Sequence, residues 1–307
     1  MPTTAKGDWR PWEPGDPVRV LPWGKSGVGK TFGAGTFPRP CFFDYDRGLG
    51  TLYSPEFLRK YPKQRFLHRS FWEKDFKSGI VSAHTAYDAS CKYFDEMMKR
   101  SSEFDTFVID SGTTLGEVSQ NKAVILLGTK EYNFQSKTQE QALQYGMLVP
   151  KVQDYGAERS LTEQFVDMIL STDKHVVMIC HEKEQYDKNN TLIALTPRLT
   201  GQSAEIIPLR FDEVYHIQSN KAGADYDKAT NTTVIKWNRI CVTQPDGYRQ
   251  VKTRNGVPDG TEWNYQSVLA ALTKSYEERV RLLAAQAAGD KASAPLAATT
   301  PAGVKAS

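Results

Sequence analysis

The 307-residue sequence predicts an α/β fold, a mainly parallel sheet flanked by helices and finished by an antiparallel end. Three observations predict it. Short β-branched and aromatic runs alternate with helical stripes, the pattern of strands joined by crossover helices. A glycine-rich turn stands directly between the first such run and a helix. Beyond residue 210 the runs follow one another with only turns between them, which reads as a meander.

The elements follow in chain order. Residues 1–16 combine Pro11, Pro14 and Gly15 with scattered charge and read as an irregular arm. Pro17 to Leu21 is the first strand, and the helix after the glycine-rich turn must be short because Pro38 and Pro40 follow. Cys41 to Asp44 is the second strand. Ala83, Tyr87, Cys91, Phe94 and Met98 recur at the three-and-four spacing of one helix face, a core stripe. Thr106 to Ile109 is a fully buried strand ending at Asp110. Leu161, Phe165 and Met168 mark a helix, and Val176 to Cys180 is a further buried strand ending at His181. Phe211–Ile217, Thr233–Trp237, Arg239–Thr243 and Gln250–Thr253 complete the sheet. From Ala284 to Ser307 bulky apolar residues are nearly absent, so 17–283 is expected to form one domain and 284–307 a disordered tail.

Composition narrows the function classes. The chain is 39% hydrophobic, enough for a substantial core, and its longest apolar runs are far too short to span a bilayer. The N-terminal stretch lacks the apolar run of a signal peptide, so a cytoplasmic protein is expected. Cys41, Cys91, Cys180 and Cys241 are widely separated, which argues for free thiols over structural zinc. A formal net charge of +3 does not by itself imply nucleic acid.

The turn Gly24-Lys25-Ser26-Gly27-Val28-Gly29-Lys30-Thr31 matches G-x-x-x-x-G-K-[ST] at every specified position and has the required strand before it and helix after it. Its glycines let successive backbone N–H groups face phosphates. Lys30 supplies charge to the β- and γ-phosphates, and the Thr31 hydroxyl is a magnesium ligand. The chemistry implied is Mg²⁺ and nucleoside triphosphate, ATP or GTP. Asp110, at the end of a buried strand, has the form of the carboxylate that holds the metal shell, although aspartate also caps ordinary turns. Ser111 follows it rather than glutamate, so a water-activating carboxylate is sought elsewhere. The acidic turn Phe42-Phe43-Asp44-Tyr45-Asp46-Arg47-Gly48 offers one.

The phosphate loop, this acidic turn, the strand ending Asp110-Ser111 and the polar strand end at His181 together resemble the RecA-like recombinase core. More narrowly, HEKEQ from His181, LTPRLTGQSAEIIPLRFDEVYHI from Leu195 and TQPDGYRQVKTRNGVP from Thr243 look like phage-encoded nucleotide-binding proteins of the Sak4 type, shortened RecA/Rad51-like proteins implicated in single-strand annealing. The likeness covers about residues 17–272. It implies that Asp46 acts on the attacking water, where the pattern usually has a glutamate one methylene longer. Asp44 competes for that role, and a purely structural turn is the plainer alternative. His181 takes the place of a polar residue sensing the γ-phosphate, against a histidine merely satisfied at a strand end. The polar segment from Glu182 to Thr200 lies where recombinases carry a DNA-contacting loop, and a solvated hairpin reads the same. The insert from Gly128 to Tyr145 mixes basic and aromatic residues as single-strand platforms do. Lys252 and Arg254 alternate onto one strand face, where the resemblance implies basic fingers acting on a neighbouring subunit's phosphate, against edge charges that deter aggregation.

The expectation is therefore an ATPase stimulated by single-stranded DNA, a homo-oligomer in ring or filament form, with no membrane partner. Two rivals stand beside it: a helicase or packaging-type motor, and an ATP-gated DNA-binding scaffold with negligible hydrolysis.

Overall fold

The computed structural model describes residues 12–71, 83–128, 154–227 and 232–293. Its sheet is ten-stranded. The parallel strands are β1 (Arg19–Gly24), β2 (Pro40–Asp44), β3 (Leu67–Ser70), β4 (Thr106–Asp110), β5 (His175–Tyr186) and β7 (Glu213–Asp227). Antiparallel partners are β6 (Leu192–Pro197) on β5, β8 (Thr232–Val242) and β9 (Lys252–Thr253) on β7, and β10 (Thr261–Glu262) on β8. The spatial order is β10-β8-β7-β1-β5-β4-β2-β3. The helices are α1 (Lys30–Ala34), α2 (Pro55–Lys60), α3 (Ala83–Lys99), α4 (Gly112–Gly128), α5 (Asp154–Leu170), α6 (Ser203–Arg210) and α7 (Tyr265–Ser293).

The central strands are buried on both faces, and their side chains alternate between two layers, as the period of two requires. Cys41, Phe43, Phe107, Ile109, Val176 and Met178 face one cluster, shared with Tyr87 and Met97 of α3, Leu115 of α4 and Phe165 of α5. Phe42, Val108, Val177 and Ile179 face the other, shared with Phe32 of α1 and Val268 and Leu272 of α7. The predicted stripe of α3 is thus a core face, although Met97 is buried more deeply than Met98. The cysteines are free thiols, with Cys41, Cys180 and Cys241 buried in the strands.

Two boundaries differ from the sequence expectation. Trp12 is buried, its N–H donates to Asn255 Oδ1 (3.2 Å), and its carbonyl accepts from Arg279 of α7 (2.7 Å), so the end of the arm is strapped to the domain. The expected tail boundary at 283 falls inside α7, which runs on to Ser293. The alanines and charged residues after 283 cannot build a core, but they are good helix formers. The insert expected to contact DNA lies, from residue 129 onward, outside the described residues. Among the described residues no helix is long and apolar enough to cross a membrane.

Candidate active site

The C-terminal ends of β1, β2 and β4 and the middle of β5 lie side by side, in register Asp44 to Asp110, Asp110 to Ile179 and Gly24 to His181. They deliver the phosphate loop, the acidic turn, Asp110 and His181 to one mouth. Between them lies a cavity of about 480 Å³, lined by Gly27, Lys30, Thr31, Asp46, Asp110 and His181 among others.

Two glycines of the loop are required by their surroundings. A β-carbon on Gly24 would stand 2.6 Å from the carbonyl oxygen of Ile217 on the adjacent β7. Gly29 precedes α1 with φ of +89°, a left-handed conformation, and a β-carbon there would collide with the stem of Arg239. Lys30 is buried, and its ammonium donates to the carbonyls of Gly24 and Lys25, both at 2.8 Å. Burial pushes its pKa below the usual lysine value, opposed by Asp110 and other acids. The loop's other lysine turns away from the cavity: Lys25 pairs with Glu184 at 3.1 Å.

Asp110 is buried and accepts the Thr31 hydroxyl at 2.8 Å. Burial, reinforced by the neighbouring Asp46 and Asp44 carboxylates, pushes its pKa up to about 7, although the Thr31 hydrogen bond pulls the other way. The donor set is a hydroxyl and a carboxylate, hard oxygens of the kind Mg²⁺ takes. Gly48 leaves the space beside them open, since a β-carbon there would approach Asp110 Oδ2 to 3.6 Å and Thr31 Oγ1 to 3.9 Å. Thr31 and Asp110 therefore fit a magnesium ion.

Of the two acids in the turn, Asp46 lines the cavity, whereas Asp44 folds back to accept the Gly48 N–H at 3.3 Å. One Asp46 oxygen accepts from the Thr114 hydroxyl at the start of α4, and the other lies 2.9 Å from His181 Nε2. Burial alone would raise the Asp46 pKa. Its hydrogen bonds with His181, Thr114 and Ser111 outweigh that and hold it below the ordinary carboxylate value. His181 is fixed through its backbone as well, its N–H donating to Thr113 Oγ1 (3.0 Å) and its carbonyl accepting from Arg198 N–H (2.7 Å). The site thus sets a cationic clamp, a metal-binding pair and an oriented, ionised carboxylate around one volume.

A family model of the AAA domain matches residues 16–254. The chain belongs to this family. The residues matched include the phosphate loop, the acidic turn, Asp110 and His181. No curated protein sequence matches the chain. Among solved structures it is similar to a prototypical ATPase from the type III secretion system of pathogenic bacteria, at 14% identity and a TM-score of 0.33, over 66% of this chain and 52% of the other. The chain thus spans about half of that ATPase's length.

Two predicted residues of this AAA domain lie elsewhere. Lys252 and Arg254 sit where β9 pairs with the start of β7, at the sheet edge away from the phosphate loop. Lys252 Nζ donates to the Pro208 carbonyl (2.8 Å), and Arg254 donates to the Leu209 carbonyl and Asp212 (both 3.0 Å), so within one chain they close the C-terminal end of α6. Other residues were missed by sequence reasoning. Thr114 carries a faint signal, as a hydroxyl at a helix start after Asp-Ser. Arg239, forked on Glu56 at 2.8 and 3.0 Å and stacked 3.9 Å over Phe32, carries none.

Proposed function

We propose that this AAA domain is a Mg²⁺-dependent ATPase of the RecA-like, Sak4-type branch, assembling as a homo-oligomer on single-stranded DNA and serving annealing or strand exchange in phage recombination. The observation that carries the reading is Asp46, held ionised by His181 and Thr114 across the cavity from Lys30.

The steps follow from the residues. The loop amides and Lys30 bind the phosphates, with Lys30 exchanging its two carbonyl contacts for phosphate oxygens of higher charge. Thr31 and Asp110 hold Mg²⁺, which when bound neutralises charge on the transferring phosphoryl group. Asp46, its oxygens fixed on two sides, orients a water and accepts its proton. His181 stands at the root of the β5–β6 hairpin, so displacement of Asp46 by nucleotide is felt where the hairpin begins. That hairpin exposes Tyr186 (50%) and Ile193 (49%) beside Lys183 and Lys188, a mixture suited to stacked bases and phosphates. Lys252 and Arg254 act, in this reading, on the neighbouring subunit's nucleotide.

Steady-state hydrolysis with and without single-stranded DNA, in the native chain, Lys30→Ala and Asp46→Ala, tests the proposal. DNA should raise native turnover. Lys30→Ala should lose nucleotide binding, and Asp46→Ala should bind ATP yet turn over about 10²–10⁴-fold more slowly. Tight ATP binding without DNA stimulation would sink the recombinase reading and leave an ATP-gated scaffold.

A further inference from the structure

The β7–β8 hairpin does not end level with the phosphate loop. Trp23 pairs with His216, and from Ile217 the two strands run on past the loop as far as Asp227 and Thr232. They form a wall beside it. Residues 235, 237 and 239 of β8 alternate onto one face of that wall. Arg239 packs its stem against Gly29, lays its guanidinium over Phe32 and forks onto Glu56.

Beyond Arg239 a second cavity, of about 640 Å³, opens between the hairpin and α2. It is lined by Trp237, Ile235, Tyr226, Asn238, Lys60 and Glu56 among others. Phe32 borders the phosphate cavity and Glu56 borders this one, so Arg239, which touches both, links the two linings. Large apolar groups are presented to solvent here: Trp237 is 43% exposed, Ile235 41% and Tyr226 60%. The hydrolytic steps derived above use none of them. An indole face, an aliphatic branch and a phenol share one opening with an amide and with the charged side chains of Glu56, Lys60 and Glu262 among others, a combination of flat apolar surface and polar groups that suits a heteroaromatic ring.

We propose that this cavity receives the purine base of the nucleotide whose phosphates the loop holds, with Trp237 as the stacking residue and Arg239 as a positioning residue that holds Glu56 and Phe32 between the two cavities. The inference rests on the reading of the phosphate loop as the nucleotide site. A purine is favoured over a pyrimidine because its larger π-face gains more on the indole. Arg239 couples the two halves. The same side chain that holds Glu56, a lining residue of the slot, bears on Gly29, so base and phosphates are registered against one group.

The test compares equilibrium binding of Mg·ATP, Mg·CTP and inorganic tripolyphosphate to the native chain, Trp237→Ala, Trp237→Phe and Lys30→Ala. The native chain should prefer ATP to CTP. Trp237→Ala should weaken ATP about tenfold or more, abolish the preference and leave tripolyphosphate within about twofold, while Trp237→Phe retains most of the ATP affinity. Lys30→Ala should weaken ATP and tripolyphosphate alike; unchanged binding there overturns the phosphate-loop reading, separately from the base site. The base site is overturned if Trp237→Ala binds ATP as the native chain does, or loses tripolyphosphate in proportion. It is equally overturned if the variant keeps ATP and loses single-stranded DNA, which would assign the aromatic face to nucleic acid.

Discussion

Asp110→Asn should make the ligand-free protein more stable while removing the magnesium-dependent activity proposed above. Burial lifts the Asp110 pKa from 3.8 to about 7, so the folded chain holds this proton more tightly than the unfolded chain throughout that window. The stability associated with the group is therefore complete below 3.8 and is lost as pH rises through 7. At about 1.4 kcal/mol per pH unit, the fully ionised group costs the fold roughly 4 kcal/mol, and about 2 kcal/mol of that appears between pH 5.5 and pH 8.5. Asparagine removes the charge and keeps an oxygen to accept the Thr31 hydroxyl. Urea unfolding of both proteins without Mg²⁺ or nucleotide should show the variant's advantage growing by about 2 kcal/mol from the lower to the higher pH. Glu213, also raised to about 7 by burial, contributes the same slope to both proteins and cancels. Adding Mg·ATP should then stabilise the native chain and not the variant. An advantage that stays constant with pH, or a variant less stable at pH 8.5, would refute the claim that the apo fold is strained by this carboxylate.

Three further outcomes are expected. Gly33→Ala places a β-carbon in the indole of Trp263, which is buried and donates to the Lys30 carbonyl at 3.0 Å; a loss of about 1–3 kcal/mol in denaturant unfolding should accompany weaker nucleotide binding. His181→Ala removes one of the groups orienting Asp46, so kcat should fall at least tenfold with KM for ATP little changed, and DNA stimulation should disappear. If Lys252 and Arg254 act in trans, Lys30→Ala and Arg254→Ala chains, each inactive alone, should regain hydrolysis when mixed; failure to complement would leave both residues as closures of α6.

The parallel core was legible because strands buried on both faces are continuous apolar runs: Pro40–Asp44 and Thr106–Asp110 are buried at every position. Strand β3 was not, because Leu67-His68-Arg69-Ser70 is a half-exposed edge with no apolar run. The two runs at 233–237 and 239–243 proved to be one strand, since Asn238 pairs with Asn220 and continues the ladder. The phosphate loop was readable in full, being contiguous in sequence. What orients its chemistry was not, because Thr114 and His181 reach Asp46 across 68 and 135 residues. Arg239 meets Glu56 across 183, and only the fold brings Arg239 to Gly29. For Lys252 and Arg254 the alternation was correct, but the destination of the side chains depended on where α6 ends.

The same separation explains why the root of the β5–β6 hairpin carries more than the sequence suggested. His181 and Glu182 are consecutive on a strand and so point to opposite faces, yet both meet groups around the phosphate loop. His181 reaches Asp46. Glu182 accepts from His216 Nε2 at 2.7 Å, and His216 stacks on Trp23 at 4.3 Å, immediately before the loop. The other Glu182 oxygen is buried without a hydrogen bond from the described residues, facing Lys25 at 3.8 Å. An unsatisfied carboxylate oxygen in such a place costs about 1–3 kcal/mol, which a small shift of Lys25 would recover. From these two adjacent residues β5 continues into the hairpin with its exposed Tyr186 and Lys188.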